Sequence, residues 1–322
     1  MLNKTEKEIT KNWPSNWEQP VVTVKSLVFN HKAYIETCLD SLLSQETDFP
    51  FQIYVHDDAS TDGTTDIIRK YQEKYPHIII AIIEEKNTYS NRVLFSETVN
   101  SPQYLKGKYI ACCEGDDFWI DPLKLRKQVN FLESNPAYTM CFSNALIYND
   151  LTETDIIVPN EKEKKEISVE DLVRKGASYV PTPSILYRNE LLSDYPLDCK
   201  QCVVGDYPLQ IFCGIKGKVA CIPETLAAYR TNAKNSWTSK QRQIPYAKRL
   251  TTLKSIYSML NSLNKYTAFK YNSVFFDKKI ELFPLRPYFI RLSPSLFADT
   301  KAAIFKFPLA ITKKFLSKCS KK

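Results

Sequence analysis

The sequence predicts an α/β protein, a mostly parallel sheet flanked by helices with a helical C-terminal extension. Three observations predict it. From residue 20 onward, short β-branched apolar runs alternate with stretches of helical periodicity, the pattern of parallel strands joined by right-handed crossovers. Two of these runs end in clustered acids, Asp57-Asp58 and Glu114-Gly115-Asp116-Asp117. Beyond about residue 240 the pattern becomes helical, aromatic and basic.

Residues 1–19 read as an N-terminal extension, with Trp13 and Trp17 expected to pack back on the body. Val21–Phe29 is a buried strand. Tyr34–Ser44 carries Ile35, Cys38, Leu39, Leu42 and Leu43 at helical spacing. Phe51–Val55 is a second strand leading into His56-Asp57-Asp58. Ser60-Thr61-Asp62-Gly63 then turns the chain into a helix through Ile67, Ile68 and Tyr71. His77–Ile83 and Tyr109–Cys113 are further strands. Asp121-Pro122 opens a helix with Leu125, Val129 and Leu132 on one face, Pro being suited to a first turn. Tyr138–Tyr148 reads as a strand and the charged segment 150–166 as a surface loop. Val169–Val173 is a short helix ending at Gly176, Asp206–Ile215 is a helix and Lys218–Ile222 a strand. The division is therefore 1–19, a main domain over 20–240 with halves at 20–148 and 149–240, and 241–322.

The totals narrow the function classes. A chain of 322 residues with 43% hydrophobic content can bury a full core. Its net charge of +8 is concentrated at one end: 285–322 holds nine Lys/Arg and one acid, Asp299, so the remainder is neutral. A neutral body with a basic, aromatic tail fits an anionic membrane surface better than nucleic acid. The alternatives for that tail are a solvated basic segment or a helix packed on the body. Nine cysteines in no framework spacing, no apolar N-terminal leader and no run of about 18 apolar residues point to a reducing cytoplasm, with the protein peripheral on the inner face of the membrane. There is no G-x-G-x-x-G and no phosphate-loop motif, which disfavours dinucleotide oxidoreductases and P-loop enzymes.

In an open parallel sheet, ligands bind beyond the carboxyl ends of the strands, where both acidic clusters fall. Crowded carboxylates repel, and a divalent cation relieves that repulsion. Mg²⁺ or Mn²⁺ prefers carboxylate oxygens and completes its shell with phosphate and water, so an acid-x-acid cluster beside a glycine suits a metal-bound diphosphate. Capping is the competing reading. It is favoured for Asp62, just before a helix, and disfavoured for Asp116 and Asp117. Cys199, Cys202, Cys213 and Cys221 include one C-x-x-C pair with no histidine nearby, so zinc is disfavoured. His56 reads as a hydrogen-bonded structural histidine.

Residues 20–238 resemble family 2 glycosyltransferases. The resemblance rests on V-T-V-K-S-L-V-F-N-H at 22–31, S-L-L-S-Q at 41–45, V-H-D-D-A-S-T-D-G-T at 55–64, G-K-Y-I-A-C-C-E-G-D-D-F-W-I-D-P-L-K-L at 107–125, G-D-Y-P-L-Q at 205–210 and Y-R-T-N at 229–232. It implies the GT-A fold, a Rossmann-like sheet, and an inverting, metal-dependent transfer from a nucleotide-sugar, a UDP-sugar above all, to an acceptor hydroxyl. The first half would then bind donor and the second acceptor. Phe29 and Asn30 would border the base and Asp58 would hydrogen-bond it. Glu114 would meet the ribose, Asp116 would bind Mn²⁺ or Mg²⁺, and Asp117 would support the metal or the sugar. Asp206 would be the catalytic base, Arg230 would close over the donor and Trp237 would stack on the acceptor sugar. Two positions depart from the family: Glu114 where Asp is usual, and Asn232 where many relatives have His. The acceptor implied is a saccharide or lipid-linked saccharide in surface polysaccharide synthesis. The competing classes are a non-catalytic sugar-binding relative and a nucleotidyltransferase.

Overall fold

The strands form where apolar residues run continuously, and their burial follows. A computed structural model describes residues 2–149, 152–231, 233 and 246–282. In it β1 (Val22–Val28) pairs in parallel with β2 (Phe51–Asp57) on one side and β4 (Tyr109–Cys112) on the other, while β2 pairs with β3 (Ile79–Ile83). All seven residues of β2 are buried, as a strand covered on both faces requires. The crossovers are α2 (Ile35–Leu43), α3 (Thr64–Lys74) and α4 (Arg92–Val99). The apolar residues of α2 named from its spacing, Ile35, Cys38, Leu39, Leu42 and Leu43, are all fully buried. The helix α4, short and weakly patterned, has no counterpart in the sequence reading.

The sheet continues through antiparallel pairings. Next to β4 lies β9 (Leu186–Arg188), then β6 (Tyr138–Asn149), β10 (Lys218–Thr231) and the two-residue β5 (Phe118–Trp119). Among the described residues the order is β3-β2-β1-β4-β9-β6-β10-β5, and β6 and β10 run parallel to each other. The expected loop at 150–166 is instead mostly strand: β7 (Thr152–Val158) pairs with β6 and β8 (Lys165–Ile167) with β10. Long neighbours leave backbone N–H and C=O groups that need partners, and a polar edge segment can supply them whatever its charge. The helix after Pro122 starts later than expected, as α5 (Lys124–Ser134) with Leu123 at its N-cap.

The N-terminal residues pack back as expected. Trp13 is buried, lies 5.2 Å from the Phe51 ring and donates its Nε1–H to Thr47 Oγ1 at 2.9 Å. A capping box between Thr5 and Glu8 starts α1 (Glu6–Thr10). The later helices are α6 (Val169–Lys175), α7 (Leu197–Lys200), α8 (Asp206–Lys216), α9 (Tyr246–Tyr266) and α10 (Asn272–Leu282). Met259, Leu260 and Leu263 of α9 are fully buried, and α9 contacts α7 and α8. The described residues up to Lys278 form one compact unit. No helix among the described residues is long and apolar enough to cross a membrane. The basic tail at 285–322 lies outside the described residues. The protein therefore has the GT-A architecture, a mostly parallel sheet flanked by helices and followed by C-terminal helices.

Candidate active site

The carboxyl ends of β1, β2 and β3 lie side by side, because Val28, Asp57 and Ile83 share one register. A cleft of about 600 Å³ opens there, lined by Phe29, Ser60, Thr61, Glu84, Lys86 and Asn87 among others. Asn30 adopts the left-handed conformation (φ 58°) that Asn tolerates, donates its backbone N–H to Ser60 Oγ at 2.8 Å and accepts the Thr61 N–H on Oδ1 at 2.8 Å. Asp57 accepts from the Ser60 N–H and the Thr65 hydroxyl, and Asp62 from the Thr64 N–H and hydroxyl and the Lys32 N–H. Capping is the role expected of Asp62, but the N-cap of α3 is Gly63, and Asp62 instead holds the turn ahead of it through Thr64 and Lys32.

Asp58 directly follows β2. It is 3% exposed, and its carboxylate accepts three hydrogen bonds: from the Thr88 N–H at 2.6 Å, the Thr88 hydroxyl at 2.7 Å and the Tyr89 N–H at 3.1 Å. It anchors the loop that follows β3.

The second acidic cluster sits on the turn after β4. The Cys113 and Gly115 N–H groups donate to the Lys25 and Leu27 carbonyls, so the turn runs tight against β1. Gly115 is needed for this approach, since a Cβ there would lie 2.9 Å from Val28 Cγ2 and from His31 Nδ1. The result brings oxygens of Glu114, Asp116 and Asp117 within 4.8 Å of one another. Crowding by the surrounding protein pushes the Glu114 carboxyl up to about 8, with repulsion from Asp116 and Asp206 adding to it. Burial, then Asp116 and Glu114, hold the Asp117 carboxyl well above its ordinary range. Asp117 Oδ1 accepts the Arg230 N–H at 2.8 Å, while Oδ2 is buried with no hydrogen-bond partner. Close carboxylates, one with an orphaned buried oxygen, fit a hard divalent cation.

Arg230 braces this turn. Its Nε donates to the Asp116 carbonyl at 2.9 Å, and its guanidinium sits 4.7 Å from the Tyr34 ring, 4.8 Å from Tyr148 and 5.4 Å from Phe118. At 8% exposure it belongs to the wall of the site.

Asp206 is the first residue of α8, with Gly205 at the N-cap. Its Oδ2 accepts the Thr182 hydroxyl at 2.9 Å and its Oδ1 the Tyr207 N–H at 2.8 Å. Burial raises its carboxyl, and the Thr182 bond opposes that rise. Asp206 is near enough to the acidic turn to raise Glu114.

Sequence reading assigned no role to the support behind Asp206. Thr182 lies on the short 3₁₀ turn Thr182–Ser184, whose carbonyls are held from β5 and α5: Trp119 Nε1–H donates to Pro183 O at 2.8 Å and Gln128 Nε2–H to Ser184 O at 2.8 Å. Lys124, fully buried, donates to Gln128 Oε1 at 2.7 Å and lies 4.1 Å from the centre of the Trp119 ring. Burial pushes its ammonium down to about 8. The only signal in the chain was the string W-I-D-P-L-K-L, which shows no partner. Trp237 lies outside the described residues. Cys199, Cys202, Cys213 and Cys221 are buried thiols, and their burial raises each of them.

Comparison with known proteins agrees with this fold. The chain is 33% identical over 221 residues to an uncharacterized protein of Mycobacterium tuberculosis, covering 68% of this chain but 61% of that protein's length. It is 31% identical over 136 residues to the Escherichia coli UDP-Glc:α-D-GlcNAc-diphosphoundecaprenol β-1,3-glucosyltransferase WfaP, covering 42% of this chain and 50% of that one. Staphylococcus aureus TarS, solved in complex with UDP-GlcNAc, shares the fold at a TM-score of 0.56 and 16% identity, over 76% of this chain and 66% of that one. Residues 26–195, more than half of the chain, match the model of "Glycosyl transferase family 2", and the chain belongs to that family.

Proposed function

We propose that this protein transfers a sugar from a nucleotide-sugar, a UDP-sugar foremost, to an acceptor hydroxyl with inversion, in the synthesis of a surface polysaccharide. The observation that carries the proposal is the pairing of an acidic turn at the carboxyl end of β4 with a carboxylate at the start of α8. One is the Glu114–Asp116–Asp117 cluster, with its orphaned Asp117 oxygen. The other is Asp206, held by Thr182.

Glu114, Asp116 and Asp117 would hold Mn²⁺ or Mg²⁺, which when bound neutralises charge on a nucleoside diphosphate. Phe29 and Asn30 border the nucleobase cleft, and Asp58 shapes it by fixing the loop at 87–89. Asp206 takes the proton from the acceptor hydroxyl as that oxygen attacks the anomeric carbon. The Thr182 hydroxyl holds Oδ2 and the Tyr207 N–H holds Oδ1, so the carboxylate presents a fixed face to the acceptor. Arg230 keeps the acidic turn in place through Asp116 O and Asp117 Oδ1. An undecaprenol-linked acceptor, named for WfaP, accords with a basic tail lying near a membrane, and Trp237 would contact the acceptor sugar.

The test is release of nucleoside diphosphate from a panel of nucleotide-sugars with Mn²⁺ or Mg²⁺, then with chelator, for wild type, Asp116→Ala and Asp206→Asn. Chelator-sensitive turnover of one donor, lost in both variants, is the expected result. No turnover of any donor, with no metal-dependent binding of uridine diphosphate, would move the reading to a non-catalytic sugar-binding relative.

A further inference from the structure

Asp206 begins α8, and the residue before it does little to hold it. Gly205 is the N-cap, has no side chain to accept from the open N–H groups, and a Cβ placed there would meet nothing within 4 Å. The first N–H groups of a helix have no intrahelical acceptor, so the first turn frays unless the entering chain is held from outside.

Three hydrogen bonds hold that chain at Cys202 and Val203. Arg92, the first residue of α4, donates from Nη2 to the Cys202 carbonyl at 2.7 Å. The Tyr89 hydroxyl donates to the Val203 carbonyl at 3.2 Å. The Val203 N–H donates to Ser255 Oγ at 3.1 Å. Ser255 belongs to α9, which lies beyond residues 26–195 that match the family.

The Arg92 arrangement is costly. Its guanidinium lies 4.5 Å from the centre of the Tyr89 ring and 5.0 Å from that of Phe95, and its Nε and Nη1 are buried without a hydrogen-bond partner. Attraction to the two rings offsets part of the desolvation. The hydrogen bond from Nη2 goes to a carbonyl just ahead of Asp206. Tyr89 is held at its other end, where its N–H donates to Asp58 Oδ2 at 3.1 Å. The loop that lines the cleft through Lys86 and Asn87 therefore also grips the chain that enters α8.

We propose that Tyr89, Arg92 and Ser255 form a clasp that sets where the Asp206 carboxylate stands, so that the loop after β3 serves the donor cleft at one end and the base at the other. The inference rests on the reading of Asp206 as the base. Each of the three acts through the chain ahead of Asp206 and is a positioning residue. With the clasp closed, α8 starts in one place, and Thr182 and the Tyr207 N–H then fix the two carboxylate oxygens. With it open, the first turn frays, and a misplacement of about 1 Å costs on the order of 10²-fold in rate.

The experiment measures kcat and KM for transfer from the nucleotide-sugar that the full chain turns over, and Mn²⁺-dependent affinity for the nucleoside diphosphate it releases. The variants are Tyr89→Phe, Ser255→Ala, Arg92→Met and Arg92→Lys, with circular dichroism and melting curves to establish folding. Tyr89→Phe and Ser255→Ala each remove one oxygen, and if either does not fold the other carries the test. Each should lower kcat about tenfold and leave donor KM and nucleoside diphosphate affinity within about twofold. Arg92→Met should lower kcat further, and Arg92→Lys, which keeps a donor for the carbonyl, should recover part of the loss. In an Asp206→Asn background Tyr89→Phe should cost no more than about twofold, because the group it positions has already lost its function. A similar tenfold loss in both backgrounds, wild-type kcat in the folded single-oxygen variants, or a fall in nucleoside diphosphate affinity equal to the fall in kcat overturns the inference and leaves the transfer reading standing. Wild type that turns over no nucleotide-sugar, or wild-type turnover in Asp206→Asn, overturns the reading of Asp206 and this inference with it.

Discussion

Asp206, half-buried, and Lys124, fully buried, are two titratable groups whose surroundings push them in opposite senses. Asp206→Asn keeps the shape but cannot take a proton, so transfer should fall by about 10²–10⁴ while nucleoside diphosphate affinity stays at the wild-type level. Thr182→Val removes the bond that opposes the rise of the Asp206 carboxyl. The acid limb of the kcat profile should then move to higher pH, and Thr182→Ser should restore it. An unmoved limb would remove Thr182 from the base's support. Lys124 titrates at about 8 in the folded chain and at 10.5 as its ordinary value. Below 8 both states hold the proton, and the fold bears the whole cost of a buried charge. Between about 8 and 10.5 the unfolded chain holds more protons, so stability rises with pH there. Compared with Lys124→Met, wild type should gain up to about 3 kcal/mol between pH 7.5 and 10 in urea melts. A constant difference would mean the ammonium is not buried as described.

At the scale of elements, the turn between β4 and β5 depends on one atom that is absent. A methyl group at Gly115 would stand 2.9 Å from Val28 Cγ2. Gly115→Ala should therefore push the acidic turn away from β1, at a cost of about 1–3 kcal/mol. It should also weaken divalent-cation binding by more than the loss of stability explains, and a titration with Mn²⁺ measures this. The charged strands β7 and β8 give the complementary lesson. Their composition suits solvent, and the pairing is decided by the neighbours β6 and β10. Local preference for a strand is weak beside the need to satisfy backbone groups.

For the whole molecule, the acidic cluster links folding to metal and to pH. Glu114 keeps a proton up to about 8 in the fold and up to 4.5 as its ordinary value. Between those values the folded chain holds the extra proton, so without cation stability should fall as pH rises across the window. A cation that binds the ionised oxygens acts in the opposite sense. At a hundred times its dissociation constant it adds about 2.7 kcal/mol, or roughly 5 °C in Tm for a chain of this size. Melting curves with and without Mn²⁺ at pH 5.5 and 8 should show the larger gain at pH 8, and Asp116→Ala should abolish it. An equal gain in that variant would place the cation elsewhere.

The order of the strongly periodic strands and helices and the acids at two strand ends were legible in the residues, because periodicity acts over a few positions along the chain, whereas α4, β7 and β8 were not. The acidic motif was legible for the same reason, since Glu114, Asp116 and Asp117 are adjacent. Other features depend on residues far apart in the chain. Arg230 braces Asp117 across 113 positions, Thr182 holds Asp206 across 24, and His56 meets Glu84 across 28. Which oxygen of Asp58 is already occupied, and by what, is equally a matter of the folded loop. The sequence by itself determined the strongly periodic elements and the acids at the ends of two of them. Only the tertiary structure decided which side chains hold that chemistry in place, because the partners of a buried polar group are set by packing and not by position along the chain.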